Sequence, residues 1–363
     1  MRFKYSHLDP NLLHSLRSMI ELMRLFFYLL LQAGGNADEA LRNMKRLQEI
    51  GYLDETLDLE EFKRQLQESK IVSLDKRGRS SLTPRGEREV RRDSLKEIFT
   101  SLKKGGAGSH PIDDSGEGGE RLFETRPYEF GDPVTDIHFR GTLENAIQRS
   151  GLGDLAIREE DIEVYEHEQA TSCATVLLID VSHSMVLYGE DRITPAKRVA
   201  LALTELTLTQ YPKDSLRVVL FGDEAQEVAI ADIPYIQAGP YHTNTKAGLR
   251  LAQEILKREK KANRQIFMIT DGKPSAITEH GALYKNPFGL DPKIVNRTLD
   301  EAASCRRDKI PITTFMLARD YPLVQFVNEL TKLNRGRAYF TSPANLGEAL
   351  FVDYLRNRRK RFK

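Results

Sequence analysis

The 363-residue chain has no tryptophan, two cysteines and a formal net charge of only +1. Cys173 and Cys305 show no CxxC spacing and no histidine close in sequence. A disulfide framework and the common zinc motifs are thereby excluded, and two ordinary thiols in a reducing compartment remain. A balanced charge offers no global argument for a nucleic-acid or membrane partner. The most apolar N-terminal run, Leu25 to Leu31 behind Arg24, falls far short of the roughly 20 residues that a membrane span requires. Pro10 and Glu21 interrupt any secretory-signal core, so the expected location is the cytoplasm. What is present, 40% hydrophobic and 29% charged residues, describes a soluble globular chain long enough for two or three domains.

Residues 1–102 read as a helical module. Leu16, Ile20, Met23, Phe27 and Leu30 recur at helical spacing. Gly34 and Gly35 stop that helix, and Asn36 with Glu39 opens a second one carrying Leu41, Met44 and Leu47. Asp58 with Glu61 opens a third, with Phe62 and Leu66 on its apolar face. A short hairpin pattern follows, and Thr83 and Pro84 cap a final helix. The order resembles a winged-helix module, chiefly through LTPRG after the hairpin. Lys76, Arg77 and Arg79 at its tip offer phosphate contacts. Against nucleic acid stands the mixed charge of the third helix, where Glu60, Glu61 and Glu68 accompany Lys63 and Arg64. Protein docking is the expected role of this module.

Residues 103–121 are Gly-rich and polar and read as a flexible linker. They contain no GxxxxGK[ST], so no ATPase site is expected there. Residues 1–104 are accordingly expected to fold apart from 122–363. Residues 122–172 form an acidic lead-in in which four arginines, Arg126, Arg140, Arg149 and Arg158, face about twelve acidic side chains. This block is either a solvated edge or an acidic docking surface. The tail, 356–363, carries six basic residues. It reads as a solvated terminus, with an anion-binding arm as the alternative.

Residues 173–355 alternate strand and helix patterns, the signature of a doubly wound, mainly parallel α/β sheet of Rossmann-like architecture. The run VLLID ends at Asp180, and hydroxyls follow at Ser182 and Ser184. A continuous apolar run of this kind fits a strand buried on both faces, whose carboxyl end is the usual ligand face. Asp271 ends a second such run, QIFMITDG, and Thr243 stands just before a helical pattern. One carboxylate and two hydroxyls on alternate residues make a half-site for a hard cation with oxygen ligands.

Together Asp180, Ser182, Ser184, Thr243 and Asp271 resemble, in full and in order, the metal-ion-dependent adhesion site of von Willebrand factor A domains. Tyr241 and His242 stand where small residues often precede the threonine. The resemblance implies Mg2+, or Mn2+, held by these five residues, with no catalytic residue and one open position for an acidic side chain of a partner protein. His183, between the two serines, is expected to turn away from the ligands, either to support them from behind or to serve as a packing residue. The long stretch from Gly272 to Pro292 is expected beside the ion, with Lys273 and Lys285 on its rim. The C-terminal placement behind a helical region, and the segment RPYEFGDP, also resemble bacterial proteins of this type that partner MoxR- or magnesium-chelatase-type AAA+ ATPases. A nucleic-acid-binding regulator and a metal-dependent hydrolase are the alternatives. A nucleophilic Asp180 of the haloacid-dehalogenase kind is excluded by Ser182, because that chemistry wants a second aspartate there.

Overall fold

The computed structural model describes residues 10–54, 57–74, 80–104, 121–128, 137–151, 156–167, 172–261, 263–279, 281–286, 288–318 and 320–358. The chain forms two compact units, Met1–Gly108 with Ser172–Asp353, and Ser109–Thr171 with Tyr354–Lys363.

The first unit starts with helices α1 (Pro10–Gln32), α2 (Ala37–Glu49) and α3 (Leu59–Glu68). Capping fixes two of their starts. Asn36 accepts from the Glu39 amide at 3.1 Å, and Asp58 accepts from the amides of Glu60 and Glu61 at 3.0 and 2.9 Å. An antiparallel hairpin of β1 (Val72–Leu74) and β2 (Ser80–Leu82) leads into α4 (Pro84–Lys104). Thr83 caps α4 by accepting from the Gly86 amide at 3.0 Å. Three helices, a short hairpin and a final helix follow one another as read from the sequence; the basic hairpin tip lies outside the described residues, as do most of the linker and the end of the tail.

Two expectations are corrected in this region. Ile20 is exposed, while Leu22, Phe26, Phe27, Leu29, Leu30 and Leu31 are buried. The helix is covered on more than one side, so its apolar face is wider than a single stripe. Nor do residues 1–104 stand apart, because their helices share one compact unit with the C-terminal sheet. Phe99 of α4 meets Phe351 edge-on at 5.8 Å, and Arg91 reaches Glu205 at 3.3 Å. A linker sequence says nothing about such contacts, which form between surfaces brought together from either side of it.

The second unit pairs β3 (Arg121–Pro127) with β4 (Glu163–His167) in an antiparallel ribbon beside α5 (Phe139–Ser150). Arg149 of α5 holds Asp161 through two hydrogen bonds of 2.9 and 2.8 Å. The acidic lead-in therefore has a sheet of its own.

The remaining elements, apart from the end of the last helix from Tyr354 on, complete the first unit. They are β5 (Cys173–Asp180), α6 (Ile193–Gln210), β6 (Ser215–Phe221), β7 (Ala225–Val228), α7 (Thr245–Arg258), β8 (Asn263–Thr270), β9 (Ala276–Glu279), β10 (Ala282–Lys285), α8 (Pro292–Arg307), β11 (Ile312–Met316), α9 (Tyr321–Asn334), β12 (Arg337–Phe340) and α10 (Leu346–Arg358). Six strands form one sheet in the order β12-β11-β8-β5-β6-β7. All neighbours are parallel except the edge hairpin β6–β7. All eight residues of β5 are buried, as its unbroken apolar run requires. Val176, Leu178, Ile266, Met268 and Ile312 pack against Leu249, Ala252, Phe326 and Leu330 from α7 and α9. Each such aliphatic side chain contributes about 1.5–3 kcal/mol when fully buried.

The chain leaves β5 toward β6 on one side and returns as β8 on the other. That reversal makes the β5/β8 carboxyl edge the switch point of the sheet, where open α/β folds leave a crevice. Asp180 ends β5, and Asp271 directly follows β8.

Candidate functional site

The five residues read from the sequence meet at this edge. Ser182 Oγ lies 3.0 Å from both Ser184 Oγ and Thr243 Oγ1, and Ser184 donates to Asp271 Oδ1 at 2.7 Å. Asp180, Ser182, Thr243 and Asp271 are almost wholly buried. Asp180 accepts from the Ser182 amide at 2.9 Å, which closes the tight turn after the strand. Burial first, and the nearby charge of Asp271 second, push the Asp180 carboxyl up to about 7. Among the described residues no three His, Cys, Asp or Glu side chains form a metal cluster. This constellation instead has two carboxylates and three hydroxyls.

Four supporting residues carried no assignment in the sequence. Thr270 lies beside Asp180 across the β5–β8 pair and donates to its Oδ2 at 2.6 Å. Ser275 accepts from the Thr243 amide through Oγ at 3.0 Å, and its own amide donates to the Thr243 carbonyl at 3.0 Å. Arg192, just before α6, donates to Asp271 Oδ2. Gly272 leaves room for the hydroxyls, since a Cβ there would lie 2.9 Å from Thr243 Oγ1 and 3.0 Å from Ser184 Oγ. TDG was a readable strand-end signal, but a hydroxyl facing across strands and an arginine at a helix start have no local signature. Gly272→Val should lower stability by about 1–3 kcal/mol through overpacking, read in a urea melt; an unchanged midpoint would mean that the hydroxyls shift freely.

The residues before Thr243 are anchored. The Tyr241 ring lies against Gly222 and Gly239, where a glycine's missing Cβ admits it, and the His242 amide and Nδ1 reach Asp223 Oδ1 at 2.8 and 3.1 Å. The His183 side chain is exposed, a correction to the packing role, because the turn after Asp180 lifts it off the sheet. The stretch after Gly272 carries the hairpin β9–β10. Asn244 Nδ2 ties it to the Thr243 loop through Thr278 Oγ1 at 3.1 Å. All four β10 residues, Lys285 among them, are exposed, while Lys273 is half-buried.

Residues 173–355, half of the chain, match the family model described as "Rv0959-like protein, vWA domain". The chain belongs to this family. Residues 120–167 match the third domain of Rv0959-like proteins, which accords with the separate sheet of the second unit. Rv0959 of Mycobacterium tuberculosis H37Rv and Mb0984 of Mycobacterium bovis are each 32% identical over 311 residues, covering 83% of this chain and 46% of theirs. The chain thus spans about half the length of these relatives. Among solved structures it is similar to the PilB minor pilin of Streptococcus sanguinis, at 15% identity and a TM-score of 0.40, covering 57% of this chain and 65% of that one. It is also similar to a von Willebrand factor type A protein of Catenulispora acidiphila, at 16% identity and a TM-score of 0.38, covering 55% and 45%. The family match and the strand order together show the expected α/β class, a mostly parallel vWA sheet with a helical N-terminal region. Among the described residues no helix is long and apolar enough to cross a membrane.

Proposed function

We propose that the vWA domain is a protein-interaction module that holds Mg2+, or Mn2+ in the same geometry, and uses it to capture an acidic residue of a partner. One observation carries this reading. The three hydroxyls stand 3.0 Å apart in sequence along a chain from Thr243 through Ser182 to Ser184. Adjacent corners of an octahedron built on Mg2+ bonds of about 2.1 Å are about 3 Å apart. Two buried carboxylates, Asp180 and Asp271, flank them in a dry setting that disfavours two negative charges without a cation. Ser182, Ser184 and Thr243 would hold the ion, while Asp180 and Asp271 would bind it or orient its waters. The ion supplies a Lewis-acidic position for an incoming carboxylate.

We read the site as binding and not catalytic. Among the described residues the histidine side chains that hydrogen-bond are His138 and His242, whose partners are outside the five, and His183 is exposed. The half-buried Lys273 and exposed Lys285 add attraction for an acidic partner segment. An AAA+ ATPase of the MoxR or chelatase type is the proposed partner, on the resemblance described above. Association with such an ATPase should be strong in Mg2+, and both EDTA and Asp271→Ala should weaken it more than moderate salt does. Equal association in Mg2+, in EDTA and with the variant would place the docking surface elsewhere.

A further inference from the structure

Arg192 enters the site from outside the five-residue pattern. Its guanidinium donates to Asp271 Oδ2 and also reaches Glu190 Oε2 at 2.7 and 3.0 Å. Its backbone amide donates to the Met185 carbonyl at 3.0 Å, and Met185 is fully buried beside Ser184. The arginine is therefore fastened to the same turn that carries the serines. Its side chain is 15% exposed and that of Asp271 is 0% exposed, so this pair is poorly screened by solvent. Glu190, at 60%, lies at the surface.

Both oxygens of Asp271 are thus engaged, Oδ1 by Ser184 and Oδ2 by Arg192. A neighbouring positive charge has two consequences for a cation site. It spares the protein an unpaired buried carboxylate when no ion is bound, and it opposes the approach of a dication. We propose that Arg192 is a tethered counter-charge that sets the cation affinity of the site, holding it low until an acidic partner residue adds the negative charge that the guanidinium cancels. This rests on the Mg2+ reading above. Ion and partner would then bind cooperatively, each improving the affinity of the other by the same factor.

The test is a calorimetric Mg2+ titration of the full chain at mildly alkaline pH, without partner, for the natural protein and for R192Q, R192K and E190Q. R192Q retains a donor for Asp271 and removes the charge, so Mg2+ should bind about tenfold tighter or more. R192K retains the charge and should stay close to the natural affinity. E190Q removes the rival claim on the guanidinium and a surface anion, so binding should weaken about two- to threefold, the small size reflecting solvent screening. Metal-free R192Q should also melt lower, and Mg2+ should raise its melting temperature by more than it raises that of the natural protein. Equal or weaker binding by folded R192Q would overturn the proposal and leave Arg192 as a strut for Asp271. Should R192Q fail to fold at any Mg2+ concentration, E190Q decides: weaker binding supports the proposal, and equal or tighter binding overturns it. Absence of Mg2+ binding by the natural protein would overturn the metal reading itself, whereas binding unaltered by the variants would overturn only the role of Arg192.

Discussion

Asp180→Asn is expected to raise the melting temperature of the metal-free protein and to abolish its response to Mg2+. Asp180 has no solvent exposure, and its two oxygens accept from the Ser182 amide and the Thr270 hydroxyl. Asparagine has nearly the same volume. Its carbonyl can accept from the Ser182 amide, and its amide can donate to Thr270 once that hydroxyl turns. The packing is kept while the desolvated charge beside Asp271 is removed. Replacing a buried charge by a well-packed neutral group commonly stabilises by about 1–4 kcal/mol, which for a domain of this size is about 2–4 °C per kcal/mol. In the natural protein, Mg2+ at about 100 times its dissociation constant should add about 2.7 kcal/mol by linkage. Scanning calorimetry with and without Mg2+ reads both effects. A variant still stabilised by Mg2+ would remove Asp180 from the ligand set. A lower metal-free melting temperature would mean that its hydrogen bonds outweigh its desolvation.

The second large effect is expected at Lys197. This residue of α6 is 1% exposed, and its ammonium donates to three backbone carbonyls, those of Leu31, Pro234 (3.1 Å) and Ile236 (2.9 Å). Leu31 belongs to the last turn of α1, where carbonyls lack helical partners and the helix dipole favours a cation. The same helix end turns through Gly34 and Gly35, both at positive φ, and a Cβ on Gly35 would meet the Tyr235 ring at 2.3 Å. Lys197 thus fastens the N-terminal helices to the vWA domain. Lys197→Met keeps the aliphatic stem and removes the donor the three carbonyls share, although the Leu31 oxygen still accepts from the Gly34 amide at 3.2 Å. The expected loss is about 2–5 kcal/mol, a tertiary effect with far-ultraviolet dichroism largely retained.

A pH slope accompanies this effect. Burial lowers the Lys197 pKa from 10.5 to about 8. Between these values the unfolded chain binds more protons than the folded one, so this group makes stability rise with pH across that window. Below about pH 8 its full desolvation penalty is present. Lys197→Met should remove the slope. Urea midpoints across the window check this, and an identical slope in the variant would assign it to another group.

The vWA sheet was legible because its strands are buried on both faces and read as unbroken apolar runs. Asp180 and Asp271 were legible because each follows such a run at the edge where a parallel sheet opens. The hydroxyls followed from their alternation after Asp180 and from the position of Thr243 before a helix. Local chemistry also settled the caps at Asn36, Asp58 and Thr83, since a cap is made within three residues of itself. The hairpin inside 272–292 was missed because β10 is exposed throughout and has no apolar alternation to betray it.

Other decisions required the tertiary structure. Strand order brought β5 beside β8, and only that adjacency places Thr270 on Asp180 and Asp271 beside the serine turn. Arg192 and Lys197 look in sequence like solvated charges near the start of a helix. One is drawn onto the Asp271 carboxylate and the other is buried under the end of a helix more than 160 residues earlier. The union of the N-terminal helices with the vWA domain was likewise invisible across a Gly-rich linker. Residue type and spacing determine strands, caps and ligand chemistry because those depend on neighbours along the chain. The charge balance of the site and the joining of its modules depend on groups distant in sequence, whose energies exist only once the sheet has set their separations.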